Sequence, residues 1–215
     1  MRIRPEELKL YAITDRNCLK NGNFEQSIEQ ALAGGVTCLQ LREKHLSRQE
    51  LLAQAVRIKK ICEKYHVKLI INDDYEIALE SGADGVHVGI TDAPVEEIRR
   101  HAGENFIIGA TAKTLEQAIR AQNAGADYLG VGAIFPSGTK PDAVRITPEI
   151  VKQIRKAVKI PIVGIGGITQ ENTLSLAEYH LDGIAVVSAV FGSDDVQSAA
   201  ENLLQIMKGW NDRNE

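Results

Sequence analysis

Pro161-Ile162-Val163-Gly164-Ile165-Gly166-Gly167-Ile168 is the stretch on which the reading of the chain turns. Ile162, Val163 and Ile165 are β-branched and apolar, as a strand buried on both faces requires. Gly166 and Gly167 then remove two side chains at the C-terminal end of that strand. Backbone N–H groups left bare there can approach a phosphate closely. Taken alone, the glycine pair reads first as a tight turn, and its place among the other strands must decide. A second stretch, Gly183-Ile184-Ala185-Val186-Val187-Ser188-Ala189, has the same logic and ends in small residues before Phe191. Two such strand ends, late in a βα chain, point to the phosphate site of a (β/α)8 barrel.

Outward from that stretch, two patterns alternate along all 215 residues. Short β-branched or aliphatic runs are followed by longer segments with helical periodicity. Strands are expected at 10–14, 37–42, 68–72, 85–88, 106–110, 128–131, 160–165 and 183–187. Helices are expected at 24–33, from Ser47 to 65, 75–81, 94–101, 114–124, 148–157, 171–179 and 196–210. Ser47 with Glu50 three residues on has the form of a capping box. Pro94 suits a first helical turn. The phrases Ala83-Asp84-Gly85, Ala126-Asp127-Tyr128 and Leu181-Asp182-Gly183 recur before the fourth, sixth and eighth strands. A repeated helix-to-strand turn fits a barrel of βα units. Residues 1–215 read as a single (β/α)8 TIM-barrel domain with no linker. A doubly wound open sheet competes, since alternation does not prove closure, but no early G-x-G-x-x-G fingerprint supports it.

Composition narrows the function classes. The apolar and charged fractions are those of an ordinary globular protein, and the formal net charge is −4. That balance argues against a general nucleic-acid or acidic-membrane binder. No apolar run approaches the roughly 20 residues that span a bilayer, and the first eight residues lack a signal-peptide core. Cys18, Cys38 and Cys62 show no metal spacing, and reduced thiols in a cytoplasmic protein are the simplest account. Cys38 alternates with Leu39 and Leu41, so it reads as packing. Small molecules are the expected partners, and the sequence leaves room for a homo-oligomer.

In a barrel, function sits at the C-terminal ends of the strands, which gives a filter for polar residues. Gln40, Arg42 and Lys44 share one face of the second strand and can project toward the mouth. Two cations and an amide suit an oligophosphate with a polar ring. The alternative pairs Arg42 with an acid in the barrel interior. Asp73 and Asp92 fall at adjacent strand ends, where two carboxylates can share one hard cation such as Mg2+. Asp74 and Asp92 both stand where a helix N-cap could sit; Asp74 is read as the cap and Asp73 as the metal ligand. His87 reads equally as a hydrogen-bonded core residue or a catalytic one. Thr111 either donates to phosphate or begins the next helix. Phe135-Pro136-Ser137-Gly138-Thr139-Lys140-Pro141 carries two hydroxyls and an ammonium around a glycine, within a loop long enough to act as a lid.

Together these motifs resemble thiamine phosphate synthase. They are Gln40-x-Arg42-x-Lys44, Asn72-Asp73-Asp74, the run 85–92, the run 135–140, the run 163–168 and Ala185-Val186-Val187-Ser188. No single motif decides it; their order and strand positions do, over nearly the whole chain. The family joins 4-amino-5-hydroxymethyl-2-methylpyrimidine diphosphate to 4-methyl-5-(2-phosphooxyethyl)thiazole and releases pyrophosphate. The resemblance implies that Gln40, Arg42, Lys44 and Asn72 hold the pyrimidine diphosphate. It implies Mg2+ on Asp73 and Asp92, and Lys140 at the pyrophosphate. Arg42, Lys44 and Lys140 would be the catalytic cations. Thr111 stands where the family usually has a serine at that diphosphate. Ser137, Thr139, Gly167, Val187 and Ser188 would hold the thiazole phosphate. Ser137 replaces a frequent threonine, keeping the hydroxyl, and Ala133 replaces a frequent proline. The implied reaction breaks its carbon–oxygen bond early and leaves a pyrimidine-stabilised cation, which asks for charge stabilisation on the leaving group. Rival readings are a thiazole tautomerase, a sugar-phosphate isomerase or epimerase, and a non-catalytic barrel that binds thiamine intermediates. Lys44, Asp73, Asp92 and Lys140 together argue against the tautomerase.

Overall fold

The computed structural model describes residues 2–20, 23–136 and 144–210. Eight parallel strands each pair with the next, and the last pairs back to the first, so the sheet closes into a barrel. The strands are β1 Leu10–Ile13, β2 Cys38–Leu41, β3 Lys68–Asn72, β4 Gly85–Val88, β5 Ile107–Ala112, β6 Tyr128–Val131, β7 Ile162–Ile165 and β8 Gly183–Val186. Outside them run α1 Phe24–Ala33, α2 Arg48–Lys64, α3 Tyr75–Ser81, α4 Val95–Ala102, α5 Leu115–Asn123 and α6 Pro148–Ala157. The last three helices are α7 Gln170–Thr173, α8 Ser188–Phe191 and α9 Val196–Lys208. The expected (β/α)8 barrel is the fold, and closure removes the open sheet. Among the described residues no helix is long and apolar enough to cross a membrane.

Strand alternation sorts side chains into two apolar layers. Leu39, Leu41, Leu69, Ile71, Ile108 and Leu129 face the helices and form the larger core. Tyr11, Cys38, Ile70, Ile107, Tyr128 and Val163 face inward and pack with Ile3 and Leu8. Ile3 and Leu8 are fully buried, so the N-terminal segment fills the bottom of the barrel. The charged residues between them hid that role in the sequence. Cys38 and Cys62 are buried and unpaired, as read, and burial pushes the Cys62 thiol up to about 12.

The recurrent turn has a definite task. The Asp84, Asp127 and Asp182 carboxylates accept from the backbone N–H of Leu69, Ile108 and Ile162, at 2.9, 2.8 and 2.7 Å. Each carboxylate therefore satisfies the start of the preceding strand, where no helix supplies an acceptor. A cation from the helix that leads into that strand completes each set: Lys59 on α2, Arg99 on α4 and Arg155 on α6. Thr37 does the same for β1, since its Oγ1 accepts from Leu10 N–H at 2.9 Å.

Two segments depart from expectation. The 171–179 helix is one α-turn, α7, followed by a 3-10 stretch at Leu174–Tyr179. Thr173 Oγ1 and Ser175 Oγ donate to the carbonyls of Thr169 and Asn172, and such side-chain bonds compete with the helical ladder. β5 extends two residues past the expected end, to Ala112, so Thr111 lies on the strand. The following helix begins after Thr114, whose side chain accepts from Gln117 N–H.

Candidate active site

A cavity of about 480 Å³ opens at the C-terminal ends of the strands. Inward-facing positions of successive strands line it. Gln40, Arg42, Lys44, Asn72, Asp73, Asp92, Thr111, Gly167, Val187 and Ser188 all do so. Strand alternation, strand ends and the family resemblance singled out these ten residues, and the structure brings them to one place. Ser137, Thr139 and Lys140 lie outside the described residues. Their loop leaves β6 through Gly132, Ala133 and Pro136, which line the same cavity.

Arg42 meets an acid and also faces the cavity. Its Nη1 donates to Asp15 Oδ2 at 3.1 Å, and its Nε is buried without a hydrogen-bond partner among the described residues. A buried guanidinium N–H without a partner is costly, and an anionic ligand would satisfy it. Lys44 Nζ donates to Asp73 Oδ2 at 2.9 Å, both groups being partly exposed. Asp73 takes a left-handed backbone, φ 66°.

Asp73 and Asp92 interact directly, and they titrate apart. Burial pushes Asp73 up, but its bonds to Lys44, Asp92 and Asn72 outweigh this and hold it below its ordinary value. Burial, first of all, raises Asp92; a bond from Gly89 N–H at 2.6 Å opposes this, and neighbouring Asp73 adds to the rise. The helix-cap reading of Asp92 fails, because Pro94 occupies the N-cap of α4. Asp74 does cap α3, accepting from Ile77 N–H at 2.9 Å.

Across the mouth, Gly166 and Gly167 line the cavity with φ of 99° and 61°. A Cβ on Gly167 would lie 2.1 Å from the Pro136 carbonyl oxygen, and one on Gly166 would lie 2.5 Å from Ala133 Cβ. The glycines therefore also let the loop after β6 lie against β7. Phe135 N–H donates to the Gly166 carbonyl at 3.0 Å. The tight-turn reading is realised, and both glycines line the cavity. Ser188 opens α8, a short extra helix after β8 that the sequence did not announce, in the position where barrels commonly place a phosphate-binding helix.

His87 is a hydrogen-bonded cavity residue: Nδ1 meets Tyr128 Oη and Nε2 meets Thr111 Oγ1, each at 3.1 Å. Sequence reasoning missed Tyr11, Tyr128 and Lys113 as lining residues. Lys113 has the inward parity of Thr111, so the true end of β5 would have shown it.

Fold and rim define a (β/α)8 enzyme of the phosphate-ligand class, with cations and paired carboxylates on one side of the mouth and a bare glycine turn on the other. Comparison with known proteins narrows the class. Residues 10–190 match the family model described as thiamine monophosphate synthase. Thiamine-phosphate synthase of Clostridium tetani is 48% identical over 194 residues, 90% of this chain and 93% of the relative. The enzyme so named in Methanobrevibacter smithii is 44% identical over 205 residues, 95% of this chain and 98% of the relative. The solved thiamine phosphate pyrophosphorylase of Pyrococcus furiosus superposes with a TM-score of 0.88 at 39% identity, covering 96% of this chain and 98% of that one. The chain belongs to the thiamine monophosphate synthase family.

Proposed function

We propose that this enzyme makes thiamine phosphate from 4-amino-5-hydroxymethyl-2-methylpyrimidine diphosphate and 4-methyl-5-(2-phosphooxyethyl)thiazole. The observation that carries the reading is one cavity with two unlike anion-ready walls: Arg42, Lys44 and the Asp73–Asp92 pair on one, and Gly167 with Ser188 on the other. Gln40 and Asn72 take the pyrimidine. Arg42, Lys44 and Thr111 take its diphosphate. Gly167, Val187 and Ser188 take the thiazole phosphate, joined by Ser137 and Thr139 from the loop. Lys140, on the same loop, meets the pyrophosphate.

Asp73 and Asp92 fit a divalent cation. Both offer hard oxygen donors; burial first and neighbouring Asp73 after it raise Asp92, and a cation between the two carboxylates would offset both. Mg2+ held there supplies positive charge against the leaving pyrophosphate. Arg42, Lys44 and Lys140 add to that stabilisation as the methylene carbon–oxygen bond breaks and its electron pair passes to pyrophosphate. The thiazole nitrogen then donates its lone pair to the methylene carbon. Lys44 can leave Asp73 for a phosphate oxygen at small cost, because an exposed ion pair holds only about 0–1 kcal/mol. The walls of the cavity keep water from the cation.

The two-wall arrangement is tested by calorimetric binding. Exchange of both Asp73 and Asp92 for Ala should abolish the Mg2+ dependence of pyrimidine diphosphate binding and leave thiazole phosphate binding intact. An unchanged metal titration would remove the pair from the site.

A further inference from the structure

Five side chains beneath the cavity form one continuous run of hydrogen bonds. Gln40 Nε2 donates to Tyr11 Oη at 2.8 Å, and Tyr11 Oη meets Tyr128 Oη at 2.8 Å. Tyr128 Oη meets His87 Nδ1 at 3.1 Å, and His87 Nε2 meets Thr111 Oγ1 at 3.1 Å. The run crosses the barrel from β2 to β5 by way of β1, β6 and β4. Two glycines make room for its rings. A Cβ on Gly109 would lie 2.1 Å from Tyr128 Cζ, and one on Gly130 would lie 3.0 Å from His87 Cε1. Burial raises both phenols well above their ordinary values, so each keeps its proton.

Each hydroxyl has one proton to give, and so does a neutral imidazole. Tyr11 also meets the Cys38 thiol, outside the run; within the run the bonds take their direction together. With Gln40 Nε2 donating, Tyr11 donates to Tyr128 and Tyr128 donates to His87 Nδ1. His87 Nε2–H then donates to Thr111 Oγ1, and the Thr111 proton is left for the cavity. At the other end, Gln40 Oε1 is left as an acceptor. In the reverse arrangement Gln40 offers its NH2 to the cavity, and the Thr111 proton is spent on His87.

We propose that Tyr11, Tyr128 and His87 are positioning residues that lock Gln40 and Thr111 into one polarity, an acceptor toward the substrate ring and a donor toward its diphosphate. This rests on the proposed function, which sets an aminopyrimidine against Gln40 and a diphosphate against Thr111. An amino group needs an acceptor, and a phosphate oxygen needs a donor. Both ends of one substrate therefore select the same arrangement, and binding at either end favours the other. A ring offering only acceptors would lose the Oε1 contact and favour the reversed chain, which withdraws the Thr111 proton from the diphosphate.

The test is a double-mutant cycle on kcat/KM for the pyrimidine diphosphate, with Tyr11→Phe and Thr111→Val. These residues do not hydrogen-bond to each other, so independent action gives multiplied losses. The relay predicts about a tenfold loss for each single variant, a double variant no worse than the poorer single, and an unchanged KM for the thiazole phosphate. Thr111→Ser should restore most of the rate, and Tyr128→Phe should repeat the Tyr11→Phe loss if that variant folds poorly. Nitrogen NMR of the wild type with Mg2+ and the pyrimidine diphosphate should show neutral His87 protonated on Nε2. Multiplicative losses, or a proton on Nδ1, would overturn the relay. A wild type that makes no thiamine phosphate would overturn the functional reading and the relay together; additive variants in an active wild type would overturn the relay alone.

Discussion

Among the described residues, Arg42 is held on one side only. Asp15 engages Nη1 and fixes the plane of the guanidinium, while Nε stays buried and unspent. Fixing the fork in advance spares the ligand the cost of ordering a long side chain. Asp15→Asn keeps the shape and removes the charge, so kcat/KM for the pyrimidine diphosphate should fall about tenfold, the worth of a charge-assisted hydrogen bond. Steady-state kinetics check this; an unchanged value would show that Arg42 needs no anchor. The cavity positions of Gln40, Arg42 and Lys44 were legible because strand alternation is local. The partner was not. Asp15 reaches Arg42 through the register of β1 on β2, seen where Arg42 N–H donates to Thr14 Oγ1 at 2.9 Å, and one strand cannot state its neighbour's register. Tyr11 and Tyr128 were hidden for a like reason, since an inward tyrosine reads as core until its hydroxyl's partner is known.

Elements carry the site by their ends. At the bottom, Asp84 satisfies Leu69 N–H and sits between Lys59 and Lys68. Burial pushes its carboxyl up, but the Lys59, Leu69 and Lys68 contacts prevail and hold it below its ordinary value of 3.8. Folded Asp84 therefore binds a proton less readily than unfolded Asp84 does. Its stabilisation is complete above about pH 4 and is lost as pH falls through the lowered folded value. Asp84→Asn should cost about 1–3 kcal/mol at neutral pH and flatten the acid limb of stability against pH. Urea unfolding from pH 3 to 7, in round figures, checks it; equal slopes for variant and wild type would contradict it.

Gly167 at the top and Gly82 at the bottom form a matched pair. Both are left-handed, φ 61° and 71°, but a Cβ on Gly82 meets nothing within 4 Å. Gly82→Ala should cost only the backbone strain, about 1–2 kcal/mol, with activity kept. Gly167→Ala must also displace the Pro136 carbonyl, so KM for the thiazole phosphate should rise several-fold. Equal kinetics in the two variants would show that the turn matters for folding alone. The recurrent turns were visible as phrases, but their bond to the preceding strand was not. α8 was missed because four residues show too little periodicity to read, and the six-residue 3-10 stretch was read as part of a regular helix.

For the whole molecule, alternation gave eight βα units, and pairing of β8 with β1 supplied the closure that alternation could not. Closure sets the two walls across one mouth. The wall of β2 to β5 comes from the first half of the chain, and the glycine turn and Ser188 come from the last quarter. Family membership was legible in the order of motifs, because each motif is a strand end and the barrel brings strand ends together. The measurement that tests this account most directly is turnover by the purified protein with both substrates and Mg2+. Thiamine phosphate and pyrophosphate should appear at equal rates, and neither should form without the thiazole phosphate. Binding of both substrates with no product would contradict the account and leave a barrel that only holds thiamine intermediates.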